Sequence, residues 1–163
     1  MGGHICESLR NIENDPYLIM ELETGYAILG WYQRFKGYTV FTCKQHVSEL
    51  HQLEQKFKMK YFEEMSLVAE AVFNVFQPDK MNYELLGNGV SHLHWHLYPR
   101  VAGDTPRKGP VWQLPYEELF DETTRPSEKL RKEMIEGIRN EIVRLLVEQA
   151  DCNTATKSPV LSD

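Results

Sequence analysis

From Phe62 onward, apolar side chains return every three or four positions, as Phe62, Met65, Ala69, Val72 and Phe76, with Glu63, Glu64 and Glu70 between them. That period predicts an amphipathic helix ended by Pro78, with a shorter helical turn ahead of it over about 47–53. The stretch 125–150 repeats the pattern, with Leu130, Met134, Ile138, Ile142 and Leu146 on one stripe and Ser127 as its cap. Elsewhere the segments are rich in aromatic and β-branched residues. "GYAILGWY" (25–32) and "GYTVFTCK" (37–44) predict two strands. "KMNYELLG" (80–87) and "SHLHWHLYPR" (91–100) predict two more, with Asn88-Gly89 as a tight turn between them. Residues 1–16 read as an irregular lead-in, 101–125 as a Gly- and Pro-punctuated loop, and 151–163 as a disordered polar tail. Helices set apart by strands give an α+β domain over 1–150.

At 163 residues, 42% hydrophobic and 26% charged, the chain suffices for one ordinary core. A formal charge of −6 argues against an extended nucleic-acid surface but leaves room for a small phosphate ligand. Cys6, Cys43 and Cys152 are odd in number and scattered, which fits a reducing compartment better than a disulfide framework. Cys43 reads as a buried strand residue. No apolar run approaches the roughly 20 residues of a membrane span, and the first residues lack a signal-type core. The expectation is a cytoplasmic protein that partners neither membrane nor nucleic acid.

Three of the six histidines lie within 92–96, alternating with Leu93 and Trp95. On a strand, His92, His94, His96 and Tyr98 share one face while Leu93, Trp95 and Leu97 take the core face. Same-face neighbours on a strand are about 6.6 Å apart, which separates His92 from His96 by roughly 13 Å. Each imidazole reaches about 4.5 Å from its Cα and a Zn–N bond adds about 2.1 Å, so the outer pair shares a metal only when fully stretched. A phosphate suits the row better. Its phosphorus is an electrophile for a neutral middle imidazole, and its oxygens take hydrogen bonds from the neighbours. The plain alternative is an exposed strand face that happens to be rich in histidine.

These residues resemble the His-φ-His-φ-His-φ-φ signature of the histidine triad (HIT) family. Gly87-Asn88 stands where the family usually has Gly-Gln, and Pro99-Arg100 follows as in Fhit-type members. "GYAILGWYQRFKGYTVFTCKQHVSEL" is similar to the family's strand–loop–strand segment, so the likeness covers about 20–105, the expected core of the domain, ahead of a C-terminal helix over about 126–150. "MNYELLGNGVSHLHWHLYPR" looks especially like bacterial members with diadenosine polyphosphate hydrolase activity.

The resemblance implies a HIT-like fold. About five antiparallel strands and two main helices form each protomer, and a homodimer joins its sheets into one of ten strands. It implies attack at the α-phosphate of a dinucleoside polyphosphate through a covalent nucleotidyl-histidine, with His94 as nucleophile. His92 would orient and polarise it, and His96 would hydrogen-bond the phosphate or bridging oxygen. Asn88 and Ser91 would contact phosphate or leaving group, and His46 would stand beside the site. Arg100 would add positive charge near the polyphosphate. Trp112 would either reach the partner's site or anchor its own loop. Nucleoside phosphoramidate hydrolysis and a nucleotide-sensing dimer with little catalysis are the alternatives. No cofactor is required, a divalent cation accompanying the polyphosphate is compatible, and structural zinc through His4 and Cys6 is not expected.

Three departures from the family pattern stand out. Gly30 replaces an Asp or Asn that contacts ribose, with Gln33 a nearby polar candidate for that contact. Asn88 is one methylene shorter than Gln. Lys36-Gly37-Tyr38 replaces the usual Pro-Gly-His.

Overall fold

The computed structural model describes Leu9 and residues 11–155. His4 and Cys6, most of the lead-in and residues 156–163 of the tail lie outside them. Five strands, β1 (Leu18–Glu21), β2 (Gly25–Leu29), β3 (Thr39–Cys43), β4 (Lys80–Glu84) and β5 (His94–Arg100), form one sheet. Its order is β1-β2-β3-β5-β4 with every neighbouring pair antiparallel. Three α-helices are described: α1 (Gln55–Phe76), the single turn α2 (Tyr116–Leu119) and α3 (Glu128–Ala155). The α+β reading holds.

Register divides the sheet into two faces. Phe41 pairs with Ala27 and Trp95, and Thr39 with Leu29 and Leu97. These face α1, whose Leu67, Val68, Ala71 and Val72 are buried against them. Burying side chains of this size stabilises by about 1.5–3 kcal/mol each. On the other face, Val40 pairs with Ile28 and His96, and Thr42 with Tyr26 and His94. Among the described residues no long helix covers that face, and it holds the site.

The α1 stripe differs from the expected one in a telling place. Glu64, expected among the polar spacers, is buried. Its carboxylate accepts from the N–H groups of Glu23 (3.1 Å) and Thr24 (2.8 Å) and from the Thr24 hydroxyl (2.5 Å). A buried carboxylate is tolerable only when hydrogen-bonded, and here it closes the β1–β2 turn. The helix ends at Phe76, where Gln77 takes a left-handed conformation (φ 48°) ahead of Pro78.

Pattern reading misses β1, because "LIME" is short and lies one residue after the turn-like Asp15-Pro16. The expected helical turn near 47–53 is a 3-10 turn at Leu50–Gln52. Asn88-Gly89 is not a tight hairpin turn, since residues 85–93 connect β4 to β5 as an open loop, with Gly87 at φ +71°. β5 begins at His94, which leaves His92 just before the strand.

Ser127 caps α3 as expected, accepting from the N–H of Leu130 (3.3 Å). The stripe of α3 shifts, with Leu130 exposed while Met134, Ile135, Ile138, Ile142 and Leu145 are buried. The helix also runs to Ala155, into the segment expected to be disordered. It packs along α1 and β1, where Arg139 donates to the carbonyls of Ile19 (2.7 Å) and Leu18 (3.2 Å).

Candidate active site

His94 is buried at the start of β5. Its Nδ1 lies 2.6 Å from the carbonyl of His92. A carbonyl only accepts, so Nδ1 carries the proton and Nε2 keeps the lone pair. Nε2 is 3.0 Å from Nε2 of His96, which must therefore donate its N–H. The Nδ1 of His96 then accepts from the Tyr38 hydroxyl at 2.6 Å. One tautomer assignment satisfies the whole chain, with both imidazoles neutral.

Burial favours the same state. It lowers the pKa of His94, and the neighbouring His92 charge adds to that against the hydrogen bond from its own Nδ1. Burial, then the proximity of His94, pushes His96 down to about 4. Low-dielectric surroundings penalise an imidazolium, so both rings stay neutral at pH 7.

His92 acts through its backbone. Its carbonyl orients His94, while its ring turns away to donate from Nε2 to the carbonyl of Cys43 (2.7 Å). The other ring nitrogen faces Nδ1 of His46 at 3.3 Å. The row of three rings expected along one straight strand is therefore broken at its first member. Cys43 itself is fully buried and its thiol pKa is raised by that burial, as suits a strand residue and not a nucleophile.

Two hollows meet at His94. One, of about 520 Å³, has His94 and His96 on its floor beside Ile28 and Val40, and an aromatic rim of Trp31, Tyr32 and Phe120. Sequence reasoning gave no role to this rim. Phe120 packs edge-on against Tyr32 (5.5 Å, 86°), and Arg125 lies over the Tyr32 ring. The second hollow, of about 170 Å³, is polar, and presents Ser48, Ser91, His92 and Asn88. Asn88 borders both. An aromatic slot thus joins a small polar pocket, with the unprotonated nitrogen of His94 at the junction.

Two expected residues are not brought to this junction. Arg100 spends all its donors on its own loop, binding Asp104 through two nitrogens (2.6 and 2.8 Å), Asn82, the Gly109 carbonyl and Thr105. It lies over the Phe35 ring and builds the 101–110 loop, and it does not line either hollow at His94. Trp112 is exposed in a separate hollow beside Arg107 and does not line its own protomer's triad cavity. Gln33 is committed as well, donating to the Gly30 and Tyr38 carbonyls and accepting from the N–H of Gly37.

The sequence and fold place the chain among known proteins. Residues 11–103 match the model of the HIT domain. The chain is 29% identical over 100 residues to Protein hit of Bacillus subtilis (strain 168), covering 58% of this chain and 68% of that one. Its fold is similar to a histidine triad protein of Sinorhizobium meliloti 1021, with a TM-score of 0.68, 23% identity and coverage of 81% of this chain and 93% of the other. It is also similar to a hypothetical histidine triad nucleotide-binding protein of Sulfolobus tokodaii strain7, with a TM-score of 0.64, 22% identity and coverage of 85% and 91%. With the match spanning more than half its length and the triad intact, the chain belongs to the HIT domain family.

Proposed function

We propose that this protein is a nucleotide hydrolase or nucleotidyl transferase that works at an α-phosphate through His94, with dinucleoside polyphosphates as the favoured substrates. The observation that carries this reading is the lone pair of His94 Nε2 at the junction of an aromatic and a polar hollow.

In the resting site that lone pair accepts from His96. A phosphate entering between the rings takes over the His96 N–H through an oxygen and releases the nucleophile. Nε2 attacks phosphorus, a P–N bond forms, and the bond to the leaving oxygen breaks with its electron pair. The His96 N–H stabilises charge growing on that oxygen. The imidazolium formed on His94 is held by its Nδ1–H bond to the His92 carbonyl. Water then displaces the imidazole, the P–N electron pair returns to Nε2, and the water's proton leaves with the product phosphates. Asn88 and Ser91 line the polar hollow, which supports their binding phosphate or leaving-group oxygens in this reading. His46 supports the His92 ring.

The protein itself requires no cofactor in this reading, and a divalent cation accompanying the polyphosphate is compatible with it. We extend the proposal to a homodimer, which the position of β4 at one sheet edge supports, with its Tyr83 exposed.

The test is release of AMP from diadenosine tetraphosphate and from adenosine 5′-phosphoramidate, with wild type against His94→Asn. Turnover abolished in the folded mutant supports the covalent route, and the better substrate distinguishes the two hydrolase readings. Mutant turnover equal to wild type overturns it. Tight nucleotide binding without turnover in wild type favours the sensor instead.

A further inference from the structure

Gly30 and Tyr38 face each other at the ends of β2 and β3, where the N–H of Gly30 donates to the Tyr38 carbonyl at 2.8 Å. The Tyr38 ring lies over Gly30. A Cβ on residue 30 would stand 2.1 Å from Cδ1 and 2.4 Å from Cε1 of that ring. No side chain at 30 coexists with the ring where it is. The ring is stacked on Tyr98 (4.3 Å between centroids, 7° between planes) and beside His96 (5.9 Å, 22°). Its position is thus held from both sides, and its hydroxyl ends 2.6 Å from His96 Nδ1.

We propose that Tyr38 is a positioning residue for His96, keeping it neutral and in the Nε2–H tautomer, and that glycine at 30 is the space this arrangement requires. The proposal rests on the reading of His96 as donor to the reacting phosphate. An O–H donated to Nδ1 is available only while that nitrogen carries no proton, so it opposes both imidazolium and the other tautomer. The other tautomer would set two lone pairs against each other at His94 and His96 and leave the phosphate without its donor. A protonated His96 would hold the His94 lone pair more tightly and reduce its nucleophilicity. The low pKa of His96 agrees with this account.

The groups facing His96 are few. On β5 they are His94 and Tyr98, and from the segment before β3, Tyr38. From β4 comes Glu84, its register partner, whose carboxyl pKa is raised by burial against the Val111 N–H and the Arg100 charge. Across the cavity stand Asp15 and Tyr32. Of these, Tyr38 is the one bonded to Nδ1.

The experiment pairs a ¹⁵N-resolved NMR titration of the ligand-free protein with pH profiles of kcat and KM, for wild type, Tyr38→Phe and Gly30→Ala. Wild-type His96 should show an unprotonated Nδ1 and a low midpoint. Tyr38→Phe should raise that midpoint by about one unit and carry the acid limb of kcat with it. Its kcat should fall about tenfold or more, with KM within about twofold. Gly30→Ala should shift the midpoint in the same direction by dislodging the ring, with the hydroxyl still in the sequence. A folded Tyr38→Phe whose His96 titration and acid limb match wild type overturns the proposal. If wild type turns over neither substrate, the NMR midpoint still decides it, and the failure belongs to the catalytic reading alone.

Discussion

Nε2 of His94 and Nε2 of His96 stand 3.0 Å apart, and only one of the two carries a proton. The nucleophile is thereby stored in a hydrogen bond that a phosphate oxygen must displace. Protonating His94 at low pH sets two N–H groups against each other, and protonating His96 displaces the Tyr38 O–H from its Nδ1. The folded pKa of His96, about 4, lies below the ordinary 6.5, so the unfolded chain binds the extra proton first. Stability from this residue is full above pH 6.5 and is lost as pH falls towards 4, by up to about 3 kcal/mol. Thermal melts of wild type and His96→Gln between pH 7.5 and 4.5 should show the steeper loss in wild type.

Because the carbonyl of His92 holds His94, the side chain at 92 is dispensable for that orientation. His92→Asn should leave the ¹⁵N signature of His94 as a protonated Nδ1. Turnover should fall by roughly 10- to 100-fold, well short of the loss in His94→Asn. A changed His94 tautomer would mean the ring, not the carbonyl, sets its orientation.

Phe120 reaches the rim of the large hollow from a segment beyond the residues matched to the family domain. Phe120→Ala removes an aromatic face that a base would stack on. We expect KM for adenine nucleotides to rise about tenfold, with kcat largely kept, since stacking on one ring is worth about 1–3 kcal/mol. Steady-state kinetics with one nucleotide series decides it.

Arg100→Lys keeps the charge and loses the fork that grips Asp104. The expected result is a loss of about 2–3 kcal/mol in denaturant unfolding, with the substrate's phosphate-chain preference unchanged. A selective loss for longer polyphosphates would return Arg100 to the substrate.

Glu64→Gln tests the β1–β2 closure. With its oxygen on Thr24 an amide keeps two of the three hydrogen bonds, and its NH2 then stands against the buried N–H of Glu23. A cost of about 2–3 kcal/mol is expected in chemical denaturation, with nucleotide affinity intact.

The triad and the core helices were legible because each is a periodic local pattern. His94 and His96 alternate on β5 with Trp95 and Leu97 as the spacing says, and Ile138 and Ile142 fall on the α3 stripe. What the pattern missed depends on contacts across the chain. Glu64 looks like a surface residue until the turn at Thr24, forty positions away, is folded onto it. Arg100 looks like an anion site until Asp104 and Asn82 claim it. The Gly30–Tyr38 couple is two separate departures in sequence and one object in space. Asn88-Gly89 carries a turn signal, but the loop around it opens to border both hollows.

The two carbonyls of β1 taken by Arg139 make the sheet unequal at its ends. A further strand arriving at β1 finds acceptors already occupied and a helix alongside, whereas β4 offers an uncovered margin. A sheet that can grow from one side only joins its twin once and then stops. In the proposed dimer the guanidinium on α3 is in this sense a terminator: with copies joined along β4, it would guard the far edge against a third.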